Sequence, residues 1–340
     1  MSRRHMAWLL LILLLVPACS GTKASTYQKS KTLMDTFVTI TVVANSAEDA
    51  GKAIGSGFDR LEKFGNQIDF FSEKSELSMI NRNAGIAPVH VSPETLYLIE
   101  KALYVAKRSD GAFDPTIGPV MKLWDFHKQI KPSDADIKKS LPLVGYRRVK
   151  VDRDRATVFL PVKGMLLDLG GIAKGYAADL AVETLKKQGI QAGIVAIAGD
   201  IRTFGQKPDG KPWNIGIRNP RQTGSGDEII ATIPLSGKAV STAGDYERFF
   251  IMNGKRYHHI MDPATGYPAQ GTRSVSVVAD LGVYADGFDN AIFVLGPEKG
   301  RKLIEELGKE FPVDAFIQYD DGSEFITPGI KGSLMHEKKH

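Results

Sequence analysis

Residues 167–179 read LDLGGIAKGYAAD, and few folds accommodate that order. Met165, Leu166 and Leu167 form an apolar run with the character of a buried strand end. Asp168, the paired glycines Gly170 and Gly171, then Lys174 and Gly175 follow at the start of a helix. A strand end, a flexible turn and a helix N-terminus in succession form a common frame for a phosphate. Turn N–H groups and the helix dipole face the anion, and glycine lets its oxygens come close. The spacing is not a Walker A loop, because no Gly-Lys-Ser/Thr occurs, nor is it Gly-x-Gly-x-x-Gly. Glycine-rich turns also serve as plain connections, so the rest of the chain has to decide.

The 340-residue chain has a single cysteine, Cys19. Ahead of it, Arg3, Arg4 and His5 form a basic n-region, and the apolar segment 8–16 is too short to span a bilayer with normal margins. The segment closes on the small-residue site Val16-Pro17-Ala18-Cys19. An ordinary secretory signal with an incidental cysteine fits this leader. Cys19, however, stands where a bacterial lipoprotein signal carries its lipidated residue, and the pattern resembles a lipobox. The expected organisation is a signal peptide over 1–18, lipidation at Cys19, a polar tether over 19–30, one large domain over 31–330 and a flexible tail over 331–340. One lipidated cysteine leaves no thiol for a disulfide, so packing must hold the exported domain together.

After cleavage about 320 residues remain, enough for one large domain or two packed subdomains. The net charge of +5 is spread along the chain with no basic run interleaved with aromatics, which argues against a nucleic-acid partner. Segment 36–43 reads as a β-branched strand. Ser46 with Asp49 opens a helix whose face holds Ile54, Phe58 and Leu61. Ser92 and Pro93 open a second helix, with Leu96, Ile99 and Leu103 on one face and Gly111 at its end. Pro115, Gly118 and Pro119 make 112–124 a shaped loop, non-helical before about residue 120 and apolar enough to pack inward. A hairpin is expected over 148–162. The helix after Gly171 should end at Lys186 and Lys187, with Gly189 as its cap. Strands at 192–196, 213–217, 229–233, 239–241, 274–279, 313–319 and 324–326 alternate irregularly with helices at 285–294 and 297–307. The pattern is α+β, with mixed β-sheets and packed helices in a single domain.

Asp286 and Asn290 stand four apart on the 285–294 helix, so both side chains face one way. Two oxygen donors at that spacing suit a hard cation such as Mg²⁺, which completes its shell with waters and phosphates; they equally suit a helix N-terminus with a stabilising acid. Asp289 is a further oxygen nearby, expected to point elsewhere on the helix. His258, His259 and Asp262 precede Pro263 and Gly266. A histidine beside an aspartate there serves either as a carboxylate-held general base or as a structural hydrogen-bond pair. Asp245 caps a turn or acts similarly. There is no His-x-x-x-His, cysteine cluster or Gly-x-Ser-x-Gly, so zinc-hydrolase and serine-hydrolase chemistry find no support.

The motifs in their joint order carry more than any one alone. Asp-Leu-Gly-Gly-Ile-Ala-Lys-Gly, Ala-Gly-Asp-Ile-Arg, Ser-Thr-Ala-Gly-Asp-Tyr-Glu-Arg, His-Ile-Met-Asp-Pro-Ala-Thr-Gly and Ala-Asp-x-x-x-Asn-Ala occur in that sequence. Upstream stand Met34-Asp35-Thr36, Ser75-Glu76-Leu77 and 113–119. From about residue 30 to residue 330 the chain resembles the FAD:protein FMN transferase (ApbE) family. The resemblance implies that FAD binds with its diphosphate on Mg²⁺, and that FMN passes to a threonine hydroxyl of a partner with release of AMP. It places Met34, Ala112, Phe113, Asp114, Asp168, Lys174 and Ile260 against FAD, with Phe71 stacking, and Gly171, Asp286 and Asn290 around the metal. His259 is the candidate proton acceptor. The acceptor is expected to be a membrane redox protein, and the site of action the cell envelope: lipid-anchored, facing the periplasm, at the inner membrane.

Three departures from the family pattern stand out. Asn290 replaces a usual threonine, Phe71 a frequent tyrosine, and Ala198 the first glycine of a Gly-Gly-Asp turn, which narrows the backbone conformations open there. Two other functions use the same residues: a Mg²⁺-dependent FAD pyrophosphatase with water as nucleophile, and a flavin-binding lipoprotein without turnover.

Overall fold

The computed structural model describes residues 24–221 and 228–336. The signal segment, Cys19 and residues 337–340 lie outside the described residues.

An eight-stranded sheet follows the chain in order: β1 (Ser25–Leu33), β2 (Thr36–Ala44), β3 (Gly193–Ile197), β4 (Asp200–Phe204), β5 (Ala239–Gly244), β6 (Thr272–Ala279), β7 (Val313–Tyr319) and β8 (Glu324–Ile326). The α+β class is as expected, but every ladder of this sheet is antiparallel rather than mixed. Leu33 pairs with Thr36 and Ile197 with Asp200 across two-residue turns. Such turns reverse the chain, whereas a parallel neighbour needs a long crossover.

Four long helices accompany the sheet: α1 (Ala47–Ile68), α2 (Pro93–Arg108), α3 (Ala173–Lys187) and α4 (Gly282–Leu307). Ser46 accepts the Asp49 N–H at 3.1 Å and donates to its carboxylate at 2.7 Å, and Ile54, Phe58 and Leu61 are buried, as the α1 pattern predicts. Ser92 caps α2 through the Thr95 N–H; Ile99 is buried there, while Leu96 and Leu103 are half-buried. α3 ends at Lys187, and Gly189 takes the left-handed φ of 85° that its C-terminal position requires. The expected 285–294 and 297–307 helices join at Gly296 (φ 71°) just before Pro297.

Alternation divides the sheet's side chains between two layers. Val275, Val277 and Ala279 of β6 join the core with the helices, whereas Val278 turns to Trp213, Ile215 and Ile233 in a smaller sheet of Trp213–Arg218, Ile229–Leu235 and Met335–His336. Each fully buried Val, Leu, Ile or Phe contributes about 1.5–3 kcal/mol, so packing alone can hold the domain without a disulfide.

Two boundaries differ from expectation. Residues 25–30, read as part of the tether, belong to β1 and pair with β2 over its full length. The strand is polar on both faces and mostly exposed, so its pairing rests on backbone hydrogen bonds that leave no apolar signal. The tail begins later than 331: Lys331 ends a short helix, and Met335–His336 adds a strand to the smaller sheet. The loop at 112–124 packs inward as expected, with a single helical turn at Gly118–Met121, two residues earlier than predicted because Pro119 is tolerated in a first turn.

Candidate active site

α3 and α4 begin without capping side chains of their own. Each borrows a carboxylate from the other. Asp179 of α3 accepts the Gly282 and Val283 N–H groups at 2.8 and 3.0 Å, and Asp286 of α4 accepts the Gly175 N–H at 2.8 Å. Arg202 of β4 ties Asp179 to the sheet, its Nε donating at 3.0 Å. The α3 N-terminus, read as a phosphate frame, is therefore already turned toward an anion of the chain itself. A phosphate is better met here by a cation than by the Gly175 N–H.

The cation present is Lys174, which donates to buried Asp200 at the start of β4. Burial alone would lower the Lys174 ammonium, but Asp200, Asp286 and Asp289 carry it net above its ordinary value. Burial and the Asp200 charge push Asp286 up to about 7, although Lys174 and the Gly175 N–H oppose them. Asp289 is driven well above the usual carboxylate range by burial, Asp286 and Asp200. The Ser241 hydroxyl lies 2.5 Å from Asp200 and 2.6 Å from Asp289. One hydroxyl proton serves one carboxylate at a time, so this arrangement is rich in oxygen and poor in hydrogen. Asp289 thus faces the same cluster as Asp286, contrary to expectation; three apart on a helix, the two share a side.

Opposite α4 stands the 168–171 loop. Asn81 holds it like a strand partner, donating to the Leu167 carbonyl at 2.9 Å and accepting its N–H at 2.7 Å. Asp168 donates its N–H to Pro115 at 2.7 Å, while its carboxylate accepts the Gly170 N–H at 2.9 Å; burial raises this acid. Asp114 is buried, bonded to the Thr116 N–H and hydroxyl and to the Tyr146 N–H at 2.6–2.9 Å. Its carboxylate is committed to shaping the loop, which leaves backbone atoms for any ligand. Phe113 lies against Gly171, its ring 3.2 Å from where a Cβ there would stand. Neighbouring Ala112 is half-buried.

Asn290 sits between these elements. Its Nδ2 lies 2.8 Å from Asp289, 3.0 Å from the Asp286 carbonyl and 3.4 Å from the Gly171 carbonyl. Gly171, Asp286 and Asn290 thus lie together. Two amide hydrogens face three acceptor oxygens, and three carboxylates face one ammonium. Such a donor set fits a divalent cation that takes few protein ligands. Among the described residues no group of three or more His, Cys, Asp or Glu has metal-site geometry, so the Gly171 carbonyl, the Asp286 carboxylate and, with its amide turned to present Oδ1, Asn290 are the candidate ligands.

His258 ends the hairpin formed by Phe249–Met252 and Lys255–His258, and His259 follows it. Ring nitrogen Nε2 of His258 is 3.0 Å from the Ala269 carbonyl, a structural contact. Among the described residues His259 Nδ1 is enclosed without a hydrogen-bond partner, and burial followed by the Arg248 and His258 charges holds the ring well below its ordinary value. Asp262 holds neither histidine: it accepts from Ala264 and Thr265 of its own turn. Asp245 makes a two-pronged pair with Arg221 at 2.6 Å. Ile260 is buried beside the histidines. Met34 lies in the β1–β2 turn with φ 52°, at the end of the sheet where β4 opens with Asp200. Phe71 is 84% exposed on the rim of a cleft of about 220 Å³ shared with Asn81, Lys122 and Leu166.

Asp200, Asp289, Ser241 and Arg248 lacked assigned roles in the sequence reading. The i, i+3 relation to Asp286 finds Asp289; Asp200, Ser241 and Arg248 stand in the Ala-Gly-Asp-Ile-Arg and Ser-Thr-Ala-Gly-Asp-Tyr-Glu-Arg motifs, but no spacing shows that they meet.

Helix ends that present an ammonium and carboxylates near a histidine whose charged form is disfavoured suit a protein that handles a phosphate ester or anhydride. The chain belongs to the ApbE family, whose model matches residues 34–315. It is 34% identical to the FAD:protein FMN transferase of Treponema pallidum over 95% of this chain and 92% of that one. With the enzyme of that name from Vibrio cholerae it shares 31% identity over 96% and 98%. The crystal structure of the ApbE protein of Thermotoga maritima superposes with a TM-score of 0.83 at 33% identity, covering 91% of this chain and 99% of that one. The flavin transferase ApbE of Vibrio cholerae does so at 0.80 and 29%, covering 91% and 99%.

Proposed function

We propose that this enzyme transfers FMN from FAD to a threonine hydroxyl of an acceptor protein and releases AMP. The observation that carries the reading is the meeting of Lys174, Asp286, the Gly171 carbonyl and Asn290 at crossed helix ends, within a chain similar along most of its length to FAD:protein FMN transferases. The threonine oxygen forms a bond to the FMN-side phosphorus, the anhydride bond to AMP breaks, and the hydroxyl proton moves to His259. Burial and the Arg248 charge keep that imidazole neutral and able to accept it. Lys174 neutralises charge on the diphosphate, and the Phe113 ring and Ile260 offer apolar surface to the flavin. Gly171, Asp286 and Asn290 would hold Mg²⁺, which supplies charge neutralisation to the dividing anhydride. Holding the threonine in line with the leaving AMP provides much of the remaining acceleration.

The leader supports a place in the bacterial cell envelope: lipid-anchored through Cys19, facing the periplasm, at the inner membrane. A membrane redox protein with an exposed threonine is the acceptor this location suits. No helix among the described residues is long and apolar enough to cross a membrane, so the proposed attachment is the lipid.

Assaying AMP and free FMN together tests the reading. AMP without free FMN, when acceptor is present, is the expected result. AMP with equal free FMN would point to hydrolysis, and no AMP at all would point to a flavin carrier.

A further inference from the structure

Arginines near the site are paired. Arg218 contacts Glu247 at 3.2 Å, Arg221 grips Asp245, and Arg256 lies 3.8 Å over the Phe249 ring centre. Arg248 differs: among the described residues its guanidinium makes no hydrogen bond or ion pair, and it is exposed. Its position is nevertheless fixed. The hairpin pairs Phe249 with His258, and the next rung joins the His259 N–H to the Arg248 carbonyl at 3.1 Å. Residues directly opposite across antiparallel strands project from one face, with Cβ atoms about 4.5–5.5 Å apart. On that same face the next pair inward, Phe250 and Tyr257, stacks at 5.4 Å into the apolar cluster with Trp124, so this side of the hairpin turns toward the molecule. The Arg248 charge acts on both the Asp168 carboxyl of the glycine loop and the His259 ring, so the three groups lie near one another.

We infer that Arg248 grips the FMN-side phosphate of FAD, the phosphorus that the acceptor attacks. His259 must stand within hydrogen-bond reach of the incoming hydroxyl, and that hydroxyl must stand in line with this phosphorus. A planar fork of N–H donors projecting beside His259 meets the non-bridging oxygens of the same phosphate, and such recognition suits arginine better than lysine. Lys174 pairs with Asp200 on the helix side, whereas Arg248 stands at the base of the hairpin, so the two phosphates of the anhydride would have separate cationic partners. The inference rests on the transferase reading above but not on the metal.

The test is a titration of the purified protein in chelator, following flavin fluorescence with FMN and with riboflavin. These ligands differ by the phosphate alone. The wild-type protein is expected to bind FMN about ten- to a hundred-fold more tightly than riboflavin, the range of a hydrogen bond to a charged group. Arg248→Gln is expected to erase most of that gap with riboflavin affinity unchanged, and Arg248→Lys to keep part of it. A gap that survives in Arg248→Gln overturns the inference. So does a parallel fall in riboflavin affinity, which marks a structural role, or a wild-type protein that does not discriminate. Neither metal nor acceptor is present, so a failure of transfer to threonine would show up separately, in the AMP and FMN assay.

Discussion

Gly175 and Gly282 cross so closely that a Cβ on Gly175 would stand 2.1 Å from the Gly282 carbonyl oxygen, and one on Gly282 would stand 2.3 Å from the Gly175 carbonyl oxygen. The contact is backbone on backbone, so no side chain can move aside. It sets the distance at which α3 and α4 exchange their carboxylate caps. Gly175→Ala must push the helices apart and is expected to cost about 3 kcal/mol or more, at the upper end for overpacking. Urea unfolding would measure it, with Gly55→Ala as the contrast. Gly55 lies in α1 with nothing within 4 Å of its Cβ position, and alanine there is expected to stabilise by about 0.5–1 kcal/mol.

Asp179 carries two duties, capping α4 and neutralising Arg202, and both side chains are about nine-tenths buried. Asp179→Asn keeps an acceptor for one N–H but leaves the guanidinium without a charge partner. Stripping one member from a buried pair costs about 3–5 kcal/mol. The urea midpoint should fall accordingly. A fall no larger than that of an exposed pair such as Arg301–Glu305 would show that solvent reaches Arg202 in the native state.

Stability should also depend on pH through Asp286. Its folded value is raised to about 7, above that of an unfolded aspartate, so the native state binds a proton that the unfolded chain does not. In metal-free protein, lowering the pH from 8 to 6.5 is therefore expected to raise the melting temperature. The gain belongs to the window between about 7 and the ordinary aspartate value; below 6.5 the histidines, whose folded values are depressed, begin to oppose it. Adding Mg²⁺ at pH 8 should stabilise the protein and flatten the dependence, and Asp286→Asn should weaken it, leaving the part that Asp289 carries. Differential scanning calorimetry across this range checks all three.

For His259 the sign is the reverse. Burial and the facing cations disfavour the imidazolium, so the neutral base persists to lower pH than an ordinary histidine. Transfer should stay level from pH 7.5 down past 6.5, with its acid limb below that. His259→Ala should lower turnover by about 10²–10⁴-fold, the usual range for a general base, and flatten the limb. A limb centred above 6.5 would assign the titration to another group.

Much of this architecture is local and was readable. The Ser46–Asp49 capping box, the lysine-rich end of α3 and the break before Pro297 each depend on residues a few positions apart. Ala198 is a sharper case. Its replacement of glycine implied a constrained turn, and it is held at φ 51°, a left-handed conformation costing about 1–2 kcal/mol. What was hidden is non-local. β1 announces nothing because its partner is a backbone edge. The Asp200–Ser241–Asp289 contacts join strands and a helix far apart in sequence. The 167–179 stretch showed its turn and helix correctly, but not that Asp286, more than a hundred residues later, would take up the Gly175 N–H.

The most direct test of the central claim is intact-mass spectrometry of an acceptor domain that the Vibrio cholerae flavin transferase labels, incubated with this protein, FAD and Mg²⁺. A mass gain of one FMN on the acceptor, absent with Asp286→Ala and with the acceptor's threonine replaced by alanine, is the expected result. An unlabelled acceptor beside stoichiometric AMP and free FMN would contradict it, and would make water, not threonine, the nucleophile this site serves.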